Sequence, residues 1–229
     1  MCNLYAYRTP QAEARLFLKV TEDRTGNQPP LPAIFPDQMA PVVRAGHDGV
    51  REMLAMRWGL PGPESAGSRP VTNIRNTESA WWRNWLDPRW RCLVPANAFC
   101  EWTDTHPKIP HWFALADDRP LFAFAGIWRP WTGERGKERG GHLLFGFLTT
   151  EPNDTVRPVH SKAMPVMLTT PEEWDTWLQA PTGEALALQR PLAADRLHIV
   201  ASGELEDPPS GAVPAKPAAA ESRQLLLPI

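Results

Sequence analysis

Apolar and polar residues along this chain fall into many short runs rather than long periodic stretches. Residues 2–7 (CNLYAY) alternate with a period of two, and strand-like runs follow at 41–45, 53–58, 91–95, 111–116, 121–128 and 143–149. Helical spacing is brief: it covers Gln11 to Val20 after Thr9-Pro10, and a helix opens at Pro171-Glu172-Glu173-Trp174 with proline in its first turn. Residues 24–40 hold four prolines and read as an ordered loop, and TGERGKERGG at 132–141 reads as a hairpin tip. His198-Ile199-Val200 reads as a last strand. Many short strands with few helices predict a single α+β domain around a curved, barrel-like antiparallel sheet with short flanking helices. No repeat of 20–50 residues is visible. From about Asp207 the sequence turns to PPSGAVPAKPAAAESRQ, so the expected division is a domain at 2–206 and a flexible Pro/Ala-rich tail at 207–229.

Composition narrows this picture. Of 229 residues 26 are proline, about 11% against a usual ~5%, which argues against long helices. The 11 tryptophans argue against a disordered chain. Three cysteines are too few for a disulfide scaffold, and Met1-Cys2-Asn3-Leu4 lacks the basic and apolar regions of a signal peptide. No stretch approaches the ~18 apolar residues of a membrane span. These features point to a reducing cytoplasm and no membrane partner. The net charge of −2, taken over the whole chain, is adverse to nucleic acid. Counted by segment, residues 1–170 carry 20 Lys+Arg against 17 Asp+Glu, and residues 171–229 carry 4 against 9. The body is mildly basic and the acid is C-terminal.

Cys2 is the sharpest chemical feature. With Met1 removed it offers an amine (pKa ~8) and a thiol (~8.5) on adjacent carbons. An aldehyde can be captured by both, first as an imine and then as a five-membered thiazolidine. The same residue could serve as an N-terminal nucleophile in amide hydrolysis, or be an ordinary strand residue. Cys92 and Cys100 lie in the apolar run RCLVPANAFCEW and read as buried structural thiols. No zinc-type spacing of Cys and His occurs, so neither a metal nor a cofactor is expected. Glu101, beside Trp102 at a strand end, is placed for a raised pKa and acid–base work. His160 follows a polar turn and precedes Ser161-Lys162. Between 72 and 91, Arg75, Arg83, Arg89 and Arg91 interleave with Trp81, Trp82, Trp85 and Trp90. Trp81 and Trp82 stand four and three residues before Trp85, which suits one helical face. Arginines reach phosphates and indole rings stack on unpaired bases, although some of these rings belong in a core.

Taken together, Met1-Cys2, MRWGL at 56–60, NIRNTES at 73–79, RCLVPANAFCEW at 91–102, FAGIW at 124–128 and LTTEPNDTVRPVHSKAMPVML at 148–168 resemble the SRAP family, the SOS-response-associated putative peptidases understood as abasic-site processing proteins. The resemblance spans roughly residues 2–200. It implies capture of abasic sites in single-stranded DNA as a covalent crosslink, in a bacterial cytoplasm and at the damaged nucleoid. By motif, Cys2 is the implied nucleophile, Asn73 orients the sugar and the N-terminal residue, Glu101 handles protons, and His160 acts as acid on the deoxyribose. Arg75 and Lys162 are implied phosphate ligands, and Trp58 or its neighbours, with Trp81, Trp82 and Arg83, would shape the DNA groove. Three departures stand out: Asn3 where glycine is common, Cys100 where tyrosine is usual, and Lys162 in place of arginine, an ammonium that contacts phosphate as a point charge. A cysteine peptidase and a non-covalent single-strand binder are the alternatives.

The chain ends Gln224-Leu225-Leu226-Leu227-Pro228-Ile229. The hexapeptide is similar to motifs by which bacterial proteins dock on the replication sliding clamp, so Gln224, Leu225, Leu227 and Pro228 are candidate clamp contacts, tethered by the Pro/Ala-rich linker.

Overall fold

The computed structural model describes residues 2–46, 49–63 and 69–209. In chain order the elements are β1 (Tyr5–Tyr7), α1 (Gln11–Phe17), β2 (Glu22–Asp23), β3 (Leu31–Ile34), β4 (Met39–Ala45), β5 (Arg51–Trp58), β6 (Asn73–Ile74) and α2 (Ala80–Arg83). There follow β7 (Arg91–Ala96), β8 (Ala98–Trp102), β9 (Pro110–Ala114), β10 (Phe122–Arg135), β11 (Glu138–Thr150), β12 (Met164–Pro165), β13 (Met167–Leu168), α3 (Pro171–Gln179), α4 (Thr182–Leu186) and β14 (His198–Ser202).

The larger sheet runs β12-β11-β10-β7-β4-β5-β2, and β5 also pairs with β11. That contact is parallel, with Leu144 opposite Arg57 and Phe145 opposite Trp58. It closes β11, β10, β7, β4 and β5 into a ring, which leaves those strands no free edge. The smaller sheet runs β14-β9-β8-β1-β3. The fold is therefore α+β around a closed, strongly curved and mainly antiparallel sheet, as the run of short strands predicts.

The core is aromatic where the two sheets meet. The Tyr5 ring lies 5.1 Å from Trp58 and 5.7 Å from Phe124, and Phe124 stacks on Phe147 at 4.6 Å. Alternation along the smaller sheet sorts its residues onto two faces. Tyr5, Tyr7, Phe99 and Phe113 join the main core, whereas Leu4, Ala6, Ala98, Cys100 and Trp112 form a second cluster on the other side.

Several elements depart from the sequence reading. The helix expected from Gln11 to Val20 ends at Phe17, where Lys19 takes a left-handed φ of 54°. The proline-rich segment 24–40 is not all loop, since it contains β3, an edge strand where Pro32 costs no ladder bond. The charged run 132–141 is two strands paired from Thr132 opposite Gly141 to Arg135 opposite Glu138, so the hairpin turns only at 136–137. The run RCLVPANAFCEW is broken at Asn97, which separates β7 of one sheet from β8 of the other. Asn97 Oδ1 accepts from the Arg8 and Thr9 amides at 2.6 and 3.1 Å, and Nδ2 donates to Thr9 Oγ1 and the Arg119 carbonyl, both at 2.8 Å.

α3 starts where Thr170 and Pro171 predict, with Thr170 Oγ1 accepting from the Glu173 amide at 3.3 Å. Asp207, expected at the start of the tail, is buried and paired with Arg119 Nε at 2.7 Å. Among the described residues no helix is long and apolar enough to cross a membrane. The clamp-like hexapeptide, with Gln224, Leu225, Leu227 and Pro228, lies outside the described residues.

Candidate active site

Cys2, just before β1, is fully buried. Its Sγ donates to the Leu4 carbonyl at 3.4 Å, and its own carbonyl accepts from Asn73 Nδ2 at 2.8 Å. Asn73 opens β6, whose pairing with β11 sets Asn73 opposite Phe147. Nδ2 also reaches Thr72 Oγ1 at 2.7 Å, and Thr72 Oγ1 donates to Asn3 Oδ1 at 3.2 Å. The unusual Asn3 is thus tied to the residue beside Asn73. Asn73 Oδ1 is buried without a hydrogen-bond partner among the described residues. Burial, reinforced by the charge of Glu101, pushes the Cys2 thiol well above its ordinary pKa.

Glu101 lies on β8 with 2% of its surface exposed. Burial pushes its carboxyl up to about 7, and the charge of Asp104 adds to the effect. Its Oε2 is 4.0 Å from His160 Nε2, and His160 Nδ1 is 3.4 Å from Asp104 Oδ1. Asp104 is fixed in turn by Ser161, whose amide and hydroxyl donate to Oδ2 at 3.0 and 2.7 Å. Those bonds hold the Asp104 carboxyl down at about 2, while burial lowers the pKa of His160 despite the Asp104 charge. A neutral imidazole that gives Nδ1–H to Asp104 turns the lone pair of Nε2 toward Glu101. The turn carrying His160 is held by Asn153, whose Oδ1 accepts from the Thr155 and Val156 amides at 3.2 and 3.0 Å. Asn153 Nδ2 anchors the turn to the Leu192 carbonyl at 2.9 Å.

Arg75 and Lys162 come together at the exposed rim, where Arg75 Nη1 is 3.4 Å from the Lys162 carbonyl and Nη2 is 3.4 Å from Glu151 Oε2. Trp58 takes a different place from the one the family resemblance implies. It is fully buried, stacked near Phe145 and Phe147, with Nε1 donating to the Thr72 carbonyl at 3.2 Å. It cannot offer a face to a base, and instead supports the Thr72–Asn73 strand from within the core. Trp82 is also buried, whereas Trp81 is 39% exposed and Arg83 is exposed. The rings of Trp81, Trp82 and Trp85 do cluster, at 5.3–6.3 Å, although α2 itself spans only one turn.

Cys92 and Cys100 are buried, as expected of structural thiols. Cys100 is next to Glu101 in sequence but faces the second cluster, away from the main core. Asp104, Ser161, Asn153 and Thr72 join the site without a role predicted for them from the sequence. The fragments Trp-Thr-Asp and Asn-Asp-Thr carried the signal, in short polar side chains that cap turns. Among the described residues no cluster of three His, Cys, Asp or Glu side chains could hold a metal ion.

A sequence profile described as SOS response associated peptidase (SRAP) matches residues 1–203. The abasic site processing protein YoqW of Bacillus subtilis (strain 168) is 31% identical over 180 residues, covering 73% of this chain and 77% of that protein. The abasic site processing protein HMCES of Xenopus tropicalis is 27% identical over 184 residues, covering 66% of this chain and 53% of its own. A crystal structure of a protein from Bordetella bronchiseptica superposes with a TM-score of 0.69 at 24% identity, covering 88% of this chain and 98% of that one. One from Bacteroides thetaiotaomicron gives 0.68 at 21%, covering 86% and 90%.

Proposed function

Because the chain belongs to the SOS response associated peptidase family, we propose that it processes abasic sites in single-stranded DNA by capturing them on Cys2 as a covalent crosslink. The observation that carries this reading is the convergence of Cys2, Asn73, Glu101 and His160 from four distant parts of the chain onto one buried polar site. While Met1 is attached, the Cys2 nitrogen is an amide. Removal of Met1 frees an amine that adds to the C1′ aldehyde of the ring-opened deoxyribose. Loss of one water gives the imine. Cys2 Sγ then adds to the imine carbon as its proton passes to nitrogen, which closes the thiazolidine. An imine alone invites β-elimination of the 3′ phosphate, and ring closure diverts it, so the strand stays intact.

The surroundings suit each step. Burial keeps the thiol protonated, so addition needs a neighbouring group to move that proton. Glu101, at about 7, is present in both forms near neutral pH and can protonate the departing hydroxyl, then accept the thiol proton. The unpartnered Asn73 Oδ1 is an acceptor for a sugar hydroxyl or the N–H of the protonated imine. His160, oriented by Asp104, serves the sugar during ring opening. Arg75 and Lys162 at the rim, with the exposed Trp81 and Arg83, are suited to the flanking phosphates and bases. The C-terminal Gln224–Ile229 would bring the protein to a sliding clamp, and a labelled peptide of residues 221–229 should bind the cognate clamp in the micromolar range.

The decisive experiment is a denaturing gel of protein incubated with a single-stranded oligonucleotide holding one abasic site. Wild type with an N-terminal Cys2 confirmed by intact mass should give a shifted band, and Cys2→Ala should not. An unshifted wild-type lane overturns the proposal. A peptidase or a non-covalent binder would give no band with either protein.

A further inference from the structure

The arginines and tryptophans of residues 81–91 do more than line a rim. Trp85 and Trp90 come from the segment covering one side of the barrel, and between their rings lies Arg129 of β10, 4.8 Å from one centroid and 4.2 Å from the other. Trp128 extends the row at 5.3 Å from Trp90, Arg44 lies over Trp128 at 4.4 Å, and Arg89 lies 5.6 Å from Trp90. Trp81, 39% exposed, continues it at the far end, 6.1 Å from Trp85.

Within the row the charges are not equivalent. Arg44 is bonded to Glu52 at 2.7 Å and Arg89 to Asp87 at 3.3 Å. The Arg129 side chain is half-buried and makes no hydrogen bond or ion pair to any described residue. A guanidinium has five N–H donors in its plane and none on its faces. With two indole rings this close to its central carbon, those donors are open to an acceptor at the guanidinium edge. Burial and the like charge of Arg89 both disfavour the cation there. Nearby, a surface cavity of about 870 Å³ is lined by Arg24, Arg44 and Arg89, but Glu22 and Glu52 also line it and offset most of that charge.

We propose that Arg129, clamped between Trp85 and Trp90, is a phosphodiester-binding subsite for single-stranded DNA flanking the lesion, with Trp81 as an adjoining base-stacking platform. The planar fork presents two parallel donors to two phosphate oxygens, and the rings hold it rigid before the strand arrives. The inference rests on the abasic-site reading and adds a contact outside the residues that the reaction uses.

The test is anisotropy of a labelled, undamaged 20-nucleotide single strand, titrated at several salt concentrations with wild type and with Arg129→Gln. Glutamine keeps a planar group between the rings and removes the charge, and a melting curve confirms the fold. Loss of one phosphate contact should reduce the slope of log K against log salt by about 0.7 and weaken binding about threefold to tenfold at low salt. In parallel, wild type should crosslink an abasic oligonucleotide. Equal slopes and affinities for the two proteins, with wild type crosslinking normally, would overturn the subsite alone. A wild type that neither binds nor crosslinks would overturn the abasic-site reading as well. If Arg129→Gln melts well below wild type, Arg129→Lys decides: a mobile ammonium should restore the salt slope but not the full affinity, and a slope left at the glutamine value overturns the proposal.

Discussion

Glu101 and His160 respond to pH in opposite senses, and both do so because they are buried. Glu101 moves from 4.5 to about 7 on folding, so between those values the folded chain holds more protons than the unfolded one and stability falls as pH rises. His160 is lowered from 6.5, so the unfolded chain binds the proton first and stability falls as pH drops below that value. Glu101→Gln should therefore raise the thermal midpoint at pH 8 and leave it unchanged at pH 4. The gain at pH 8 is about 1–3 kcal/mol from the pKa shift, read from paired melts, with crosslinking lost. Asp104→Asn should slow crosslink formation at least about tenfold by loosening the imidazole. Removing that negative charge also lowers the His160 pKa further, so the limb of the rate–pH profile that His160 sets should move to lower pH. Cys2 stood out in the sequence because its chemistry depends on position alone. Glu101 was legible only by its type: Cys100 on β8 faces the second cluster and Trp102 packs against that cluster too, so burial between sheets, not sequence neighbours, sets its pKa.

Among the elements, β7 and β10 show why two of the motifs have their composition. Arg91, 1% exposed, has no carboxylate partner among the described residues and donates to the carbonyls of Leu86, Trp177 and Ala180 at 2.7–2.9 Å, fastening α3 and the Arg/Trp segment to β7. Gly126 of β10 crosses β7 so closely that a Cβ would lie 2.8 Å from Cys92 Sγ and from Val94 Cγ2, and 3.2 Å from the Cys92 carbonyl. Gly126→Ala should cost about 1–3 kcal/mol through overpacking, measurable as a lowered denaturant midpoint with an unchanged m-value. The strands of the ring were readable as short apolar runs because most of their length is buried, β7 throughout. β3 and the Asn97 corner were not, since proline masks an edge strand and a corner is specified by long-range bonds to Thr9 and Arg119.

For the whole molecule, the two ends of the described chain are joined. Arg8 Nη1 donates to the Asp207 carbonyl at 2.6 Å, the Asp207 amide reaches the Pro32 carbonyl at 2.9 Å, and the Asp207 carboxylate meets Arg119. Composition placed the boundary near here because Pro, Gly and Ala begin, but Asp207, within that change, is anchored. Arg119→Ala leaves a buried carboxylate unpaired and should destabilise by about 3–5 kcal/mol, whereas Asp154→Ala, in an exposed pair with Arg157, should cost under about 1 kcal/mol. Chemical denaturation of the two variants checks the contrast.

The depth of Cys2 sets a clock on the proposed chemistry. The residues that enclose it and complete the site extend to His160, so this end of the chain cannot fold around Cys2 until about 160 residues have been made. At ~5–20 residues per second of synthesis, that delay is roughly 10–30 s. During it the first residues emerge as a plain leader, open to the aminopeptidase that would remove Met1. A nascent chain that misses this interval would fold normally, melt normally and remain inert toward aldehydes, so a preparation's activity would record its processing history rather than its stability.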